Sequence, residues 1–219
     1  MRPGSGQGED RKVTIVQPTV IVVDDDEQMR TALADLFHSV GLQVLSFGSA
    51  TELLAAQLPD APSCLLLDVR LPDLNGLDIQ SELGKRGSPI PIVFMTGYGD
   101  VPTSVQAMKA GAVDFLGKPF LQPDLLNAVN TALAQDKEQR LLRESIGKLR
   151  NLHRSLTRRE AEVMRYVARG LMNKEIAFQL GVAEPTVKVH RSNLMRKMGA
   201  ASVADLVLMS QKLDSQDPR

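Results

Sequence analysis

Four apolar runs in this chain stop abruptly at side chains that can do chemistry. Cys64-Leu65-Leu66-Leu67 ends at Asp68, and Val20-Ile21-Val22-Val23 runs into Asp24-Asp25-Asp26. Ile92-Val93-Phe94-Met95 ends at Thr96, and Val113-Asp114-Phe115-Leu116-Gly117 runs into Lys118-Pro119. In a parallel sheet such ends share the carboxyl edge, where open α/β folds hold their ligands. Acids, a hydroxyl and a lysine would then meet in one pocket. Clustered carboxylates repel one another, and a hard divalent cation relieves the repulsion. Magnesium (or manganese in its place) takes about six oxygen ligands, some of them water. Asp25, Asp68 and the backbone carbonyl of Arg70 are the expected protein ligands, with Asp24 acting directly or through water. In the neutralised pocket the Asp68 carboxylate can attack a phosphorus atom as a nucleophile. Lys118 can pair with the added negative charge, the Thr96 hydroxyl can donate to a phosphate oxygen, and Gly97 leaves room for the incoming group.

Taken singly, each residue has a plainer reading. An Asp-Asp pair after a strand is often a turn or a helix cap, and Lys-Pro is often loop. The joint pattern needs a scaffold that brings the four ends together, and the sequence supplies one. From Thr19 to about Gly117, strand-like segments (19–24, 43–47, 63–68, 91–95, 113–116) alternate with helix-like ones (27–39, 49–58, 76–86, 101–110). The strands are continuous apolar runs, as expected when both sheet faces are covered. Gly41, Gly87 and Gly111 follow helical segments, where a left-handed cap residue is wanted. The alternation predicts a doubly wound α/β domain. Pro123 opens a fifth helix from about Gln122, with Leu125, Leu126, Val129 and Leu133 as its apolar stripe. That helix continues into a linker in which Asp136-Lys137-Glu138-Gln139-Arg140 reads as solvated surface. Leu142 and Leu149, seven apart, leave a short coiled coil and a simple spacer both open.

The chain has 219 residues, 43% of them hydrophobic, enough for two modest cores. No apolar stretch approaches the ~20 residues of a membrane helix. The N-terminal residues lack the apolar core of a signal peptide. Cys64 is the only cysteine, which excludes an internal disulfide. These features predict a cytoplasmic protein that makes no use of a membrane, with Cys64 as a core residue. The formal net charge of zero hides an asymmetry. Residues 19–134 carry 14 acidic and 6 basic side chains, whereas residues 155–213 carry 10 basic and 5 acidic. The second half can therefore approach a polyanion.

That half reads as four short helices (157–169, 173–180, 184–198, 202–213) separated by Gly170, Gly181 and Gly199. A helix, a glycine-containing turn and a basic helix make the helix-turn-helix pattern. On the helix after Gly181, Val187, Leu194 and Met198 face inward. Lys188, Arg191, Ser192 and Met195 share another face at three- and four-residue spacing. That face fits a DNA major groove, with Lys174, Arg196 and Lys197 reaching phosphates. His190 has no second ligand at a useful spacing and is read as a phosphate-contacting or packing residue. The methionines at 164, 172, 195, 198 and 209 read as core filler. Ala183, just before the helix that follows Gly181, cannot cap it.

Residues 19–134 resemble a response-regulator receiver domain. The resemblance rests on Asp24-Asp25, Asp68 in Leu67-Asp68-Val69-Arg70-Leu71-Pro72, Gly76, Thr96-Gly97, Phe115 and Lys118-Pro119. It implies strand order 2-1-3-4-5, phosphorylation of Asp68 by a sensor histidine kinase, and a cis peptide at Lys118-Pro119. It also implies a switch in which the Thr96 hydroxyl moves toward the phosphate and the Phe115 ring turns inward. Residues 155–213 resemble the LuxR-type DNA-binding domain through Leu156-Thr157-Arg158-Arg159-Glu160, Gly170-Leu171, Asn173-Lys174-Glu175-Ile176-Ala177, Thr186-Val187-Lys188-Val189-His190 and Ser202-Val203-Ala204-Asp205-Leu206. This likeness implies groove contacts from Lys188 and Val189, a supporting contact from Thr186, and a fourth helix used for dimer contact. Members often carry Ser or Thr where Ala183 stands.

Together the halves are similar to the FixJ/NarL class of two-component response regulators. The expected organisation is a tail (1–18), a receiver (19–134), a helical linker (135–154), an all-α DNA-binding domain (155–213) and a short tail (214–219). The expected partners are a sensor histidine kinase, promoter DNA, RNA polymerase and, on phosphorylation, a second copy of the chain. Such a protein catalyses only its own phosphorylation and dephosphorylation. A haloacid-dehalogenase-type phosphatase would want a second Asp two residues after the nucleophile, where Arg70 stands. No G-x-G-x-x-G follows the first strand, which argues against a dinucleotide site. A small-molecule-sensing LuxR regulator would need a large apolar pocket in place of the ionic one.

Overall fold

The computed structural model describes residues 17–85, 90–97 and 101–214. Gly87, read above as a helix cap, lies outside these residues. Among the described residues the first unit runs β1 (Thr19–Val23), α1 (Glu27–Ser39), β2 (Gln43–Phe47), α2 (Ala50–Ala55), β3 (Ser63–Asp68), α3 (Gly76–Lys85), β4 (Ile92–Thr96), α4 (Val101–Lys109), β5 (Asp114–Gly117) and α5 (Gln122–Arg154). The strands form one parallel sheet ordered β2-β1-β3-β4-β5. Side chains alternate between its faces. Val20, Val22, Cys64, Leu66, Val93 and Met95 pack with Leu33 and Phe37 of α1 and Leu125 and Val129 of α5. Ile21, Val23, Leu65, Leu67, Ile92 and Phe94 pack with Leu53 of α2, Ile79 and Leu83 of α3 and Ala107 of α4. Burial on both faces explains why β1, β3 and β4 are unbroken apolar runs. β2 departs from that pattern: as an edge strand it is half exposed.

Local chemistry sets the element ends. Asp26 caps α1, accepting from the backbone N–H of Gln28 and Met29. Gly41 and Gly111 end α1 and α4 with φ of 80° and 92°, a conformation that costs other residues steric energy. α2 is shorter than the 49–58 read from sequence. Ser49 caps it, and Asp73 of the loop after β3 accepts from the N–H of Ala50 and Thr51 and from the Thr51 hydroxyl. Those bonds hold the Asp73 carboxyl at about 2, below the usual range, with the Thr51 hydroxyl contributing most.

The chain divides into two compact units within α5, between Gln139 and Arg140. The second contains α6 (Arg158–Ala168), α7 (Asn173–Leu180), α8 (Glu184–Met198) and α9 (Val203–Asp214). Its core holds Val163, Met164, Val167, Ile176, Val187, Leu194, Met198 and Leu206. Leu149, near the end of α5, is buried in that core, whereas Leu141 and Leu142 are exposed. The residues seven apart on the linker thus have different surroundings. Two readings need correction. Met172 is 75% exposed and fills no core. Met195, which spacing placed on the groove face, packs against this core, in line with its other reading as core filler. No helix among the described residues is long and apolar enough to cross a membrane.

Thr157 and Glu160 form a capping box at the start of α6. Glu160 is buried, and Lys197 at the far end of α8 reaches its Oε2 at 2.6 Å. Burial alone would raise the Glu160 carboxyl. The Lys197 ammonium and hydrogen bonds from Thr157 outweigh it and hold the group below its ordinary value. A depressed folded-state value adds stability above the unfolded value and loses it as pH falls through the folded one. Glu160→Gln therefore lowers protection of α6 and α8 amides from hydrogen exchange at pH 7, and narrows the gap from the parent as pH drops below about 4.5. A constant gap across pH 7 to 3 would remove the ionised pair from the account.

Two further substitutions test packing and capping. A methyl added at Gly76 would sit 3.0 Å from the Asp68 carbonyl oxygen and from Phe94 Cε1. Gly76→Ala should destabilise the receiver by roughly 1–3 kcal/mol, read as a lowered urea midpoint. Ala183 is the N-cap of α8 and supplies no side-chain bond. Ala183→Ser should raise the thermal midpoint of the second unit by a few degrees, from about 0.5–2 kcal/mol. An unchanged or lower midpoint counts against this cap assignment.

Candidate functional site

β1 and β3 are neighbours, and their crossovers leave on opposite faces, so a crevice opens at their carboxyl ends. Register does the rest. Val23 pairs with Leu67, Asp68 with Met95, and Thr96 with Gly117. Asp24, Asp68, Thr96 and Lys118 therefore stand at the same edge. Asp24, Asp68 and Thr96 are buried, and Asp25 is exposed. Carboxylate oxygens of Asp24, Asp25 and Asp68 lie within 4.8 Å of one another. The Lys118 ammonium reaches Asp24 Oδ2 and Asp68 Oδ2, both at 2.6 Å. Burial alone would lower the Lys118 ammonium. Its hydrogen bonds and attraction to Asp24 and Asp68 outweigh that and hold it above the ordinary lysine value. Lys118 is thus a fixed positive charge at neutral pH.

The backbone orients these groups. Arg70 N–H donates to Asp68 Oδ1 at 2.9 Å, and Asp26 N–H to Asp24 Oδ1 at 3.0 Å. The Arg70 main chain, read as a metal ligand, lies beside Asp68, while its side chain is exposed. Lys118 N–H donates to the Thr96 carbonyl, and the Lys118–Pro119 peptide is cis. Phe115 is half-buried, its ring centroid 6.2 Å from that of Phe94 and tilted by 43°. Three carboxylates against one ammonium leave the pocket negative. An all-oxygen donor set with one exposed edge suits a hard divalent cation.

Two positioning residues, Arg30 and Asp136, escaped the sequence reading. Arg30 Nη1 donates to the Asp24 carbonyl at 2.7 Å, fixing the turn that carries the acids. Its only signal was a cation one turn into α1. Gly76 N–H donates to the Val69 carbonyl and closes the loop after Asp68. Asp136, read as solvated, is buried on α5 and accepts from Ser63 N–H at 2.8 Å, at the opposite end of β3 from Asp68. The interval from Leu125 through Val129 and Ala132 to Asp136 is helical, and places Asp136 on the stripe that faces the sheet. Cys64, next to Ser63, is buried. Burial first and the Asp136 charge second push its thiol up to about 12, so it is inert.

In the second unit, Lys174, Thr186, Lys188, Val189, Ser192 and Arg196 present exposed side chains. The other two residues expected to bind DNA are held within the unit. Arg191 is half-buried and donates to Asn173 Oδ1 at 2.8 Å, tying α8 to α7. Lys197 is taken up by Glu160 and the Ser155 carbonyl. Gly181 ends α7 with φ of 64°, and Ala183 starts α8 two residues later. This is the tight turn of a helix-turn-helix.

A receiver sheet with an aspartate pocket, followed by a helix-turn-helix domain, defines a signal-controlled DNA-binding regulator. Comparison with known proteins agrees. Residues 20–130 match the response regulator receiver domain family. Residues 154–210 match the luxR family of bacterial regulatory proteins. The chain is 50% identical over 208 residues to Nodulation protein W of Bradyrhizobium diazoefficiens, covering 95% of this chain and 91% of that protein. It is 41% identical to Transcriptional regulatory protein FixJ of Azorhizobium caulinodans, over 87% of this chain and 90% of that one. Among solved structures, response regulator StyR superposes with a TM-score of 0.80 at 46% identity, covering 90% of this chain and 99% of that one. The chain belongs to the response regulators of the FixJ/NarL class, which join a receiver to a LuxR-type DNA-binding domain.

Proposed function

We propose that this regulator is switched by phosphorylation of Asp68 and answers by pairing on DNA. The observation that carries the reading is the Lys118 ammonium bound to both Asp24 and Asp68 at the carboxyl edge of the sheet. A carboxylate is a weak nucleophile toward a phosphoryl group that carries its own negative charge, and the pocket must offset that repulsion. Lys118 supplies one positive charge. Asp24, Asp25, Asp68 and the Arg70 carbonyl would hold a magnesium or manganese ion, which would supply charge neutralisation and fix phosphoryl oxygens. An Asp68 oxygen attacks the phosphorus of a kinase phosphohistidine. The P–O bond of an acyl phosphate forms as the P–N bond breaks, and the imidazole leaves. Thr96 then donates to a phosphoryl oxygen, and Phe115 turns toward the space the hydroxyl leaves.

The phosphoryl group changes the relative stability of two receiver states, which is all a switch requires. The surface of α4 and β5, where Val105 and Met108 of α4 are exposed, changes with the pocket and joins two receivers. Two α8 helices then meet two DNA half-sites, where Lys188 and Val189 read base edges. Lys174, Thr186, Ser192 and Arg196 support the groove and phosphate contacts, while Arg191 and Lys197, bonded to Asn173 and Glu160, hold α8 in place for them. RNA polymerase receives the output in the cytoplasm.

Labelling with acetyl phosphate and magnesium, followed by sedimentation, tests this sequence. The parent chain should take up about one phosphoryl group and shift toward dimer mass. Asp68→Asn should do neither. Persistent labelling of Asp68→Asn would place the phosphate elsewhere, and a labelled parent that stays monomeric at every concentration would refute the pairing step.

A further inference from the structure

α8 carries an acid where a DNA-facing helix should avoid one. Glu184 stands in its first turn, and its Oε1 lies 3.2 Å from Lys188 Nζ. Both side chains are open to solvent, at 42% for Glu184 and 63% for Lys188. The first turns of a recognition helix are the part that meets base edges. A carboxylate there is repelled by every phosphate, so it weakens non-specific binding, which is almost wholly electrostatic. In the major groove it has a narrow set of partners. It only accepts hydrogen bonds, and it pairs with the amino group of cytosine. The O6 and N7 of guanine and the O4 of thymine are acceptors and reject it. Lys188 is the complement, since it only donates and suits guanine O6 and N7. On one G·C pair the cytosine amino group and guanine O6 lie side by side. An acceptor and a donor 3.2 Å apart match that edge.

We infer that Glu184 is a specificity-determining residue that acts with Lys188 to read a G·C pair of fixed orientation in each half-site. The inference rests on the proposed seating of α8 in the groove. A helix-stabilising role alone would look different. Ala183 gives α8 no side-chain cap, so a negative charge at Glu184 also favours the helix N-terminus. That effect moves stability and leaves sequence preference alone.

The experiment is selection from a random duplex library with the full chain, phosphorylated with acetyl phosphate. The parent, Glu184→Ala, Glu184→Gln and Lys188→Ala are compared at one salt concentration, with thermal melting of each. The parent motif should hold one invariant G·C pair per half-site. Glu184→Ala should lose the preference at that pair by about tenfold or more and bind scrambled duplex more tightly. Glu184→Gln, which keeps the shape of the side chain, should shift the preference toward adenine, because an amide pairs with adenine N6 and N7. Folded Glu184 variants that return the parent motif with undiminished weight at every G·C pair overturn the inference and leave the groove seating intact. A parent that enriches no motif overturns both.

Discussion

The whole receiver depends on one ammonium group shared by two buried carboxylates. Lys118 reaches Asp24 and Asp68 from a different strand end, and without it two acids would face each other in a region of low dielectric. Charge repulsion at such range is costly, and removal of one partner from a buried pair is costlier than the pair is worth. The pocket therefore remains short of positive charge. A dianion entering it would need further positive charge beside it. A phosphoryl group added to Asp68 would have to redraw the bonds that Lys118 makes.

β3 is the element through which this pocket is anchored. Asp68 ends it at the carboxyl edge, and Ser63 starts it under the Asp136 carboxylate of α5. Between the two lie four fully buried residues, two facing each helical layer. The loop after Asp68 is held as tightly. Gly76 leaves no room for a methyl group, and Asp73 reaches across to the start of α2. The second unit uses the same device on a smaller scale. Glu160 caps α6 and takes the ammonium of Lys197, so one buried carboxylate ties the first helix of the domain to the end of α8.

Much of this was legible in the residues. Hydrophobic run lengths gave the strands of a covered parallel sheet to within a residue or so, and the polar residues at their ends gave the pocket. Period-3.6 spacing gave the inward face of α8 at Val187, Leu194 and Met198. The errors share a cause. Asp136 was assigned from its charged neighbours, Met172 from its residue type, and the groove placement of Met195 from spacing alone. Whether such a residue is buried depends on what packs over it, and that is supplied by segments far away in sequence. Arg191 and Lys197 show the same limit. Their charge suited phosphate, and their partners, Asn173 and Glu160, lie 18 and 37 residues away.

The sequence by itself determined which groups are present, where strands and helices begin, and which family of arrangements could use them. Those properties follow from local sterics, capping and the periodicity of apolar side chains. Only the tertiary structure decided which charges neutralise one another. Lys118 lies 94 residues from Asp24 and 50 from Asp68. Coulombic pairing falls off with distance in space and is blind to distance along the chain.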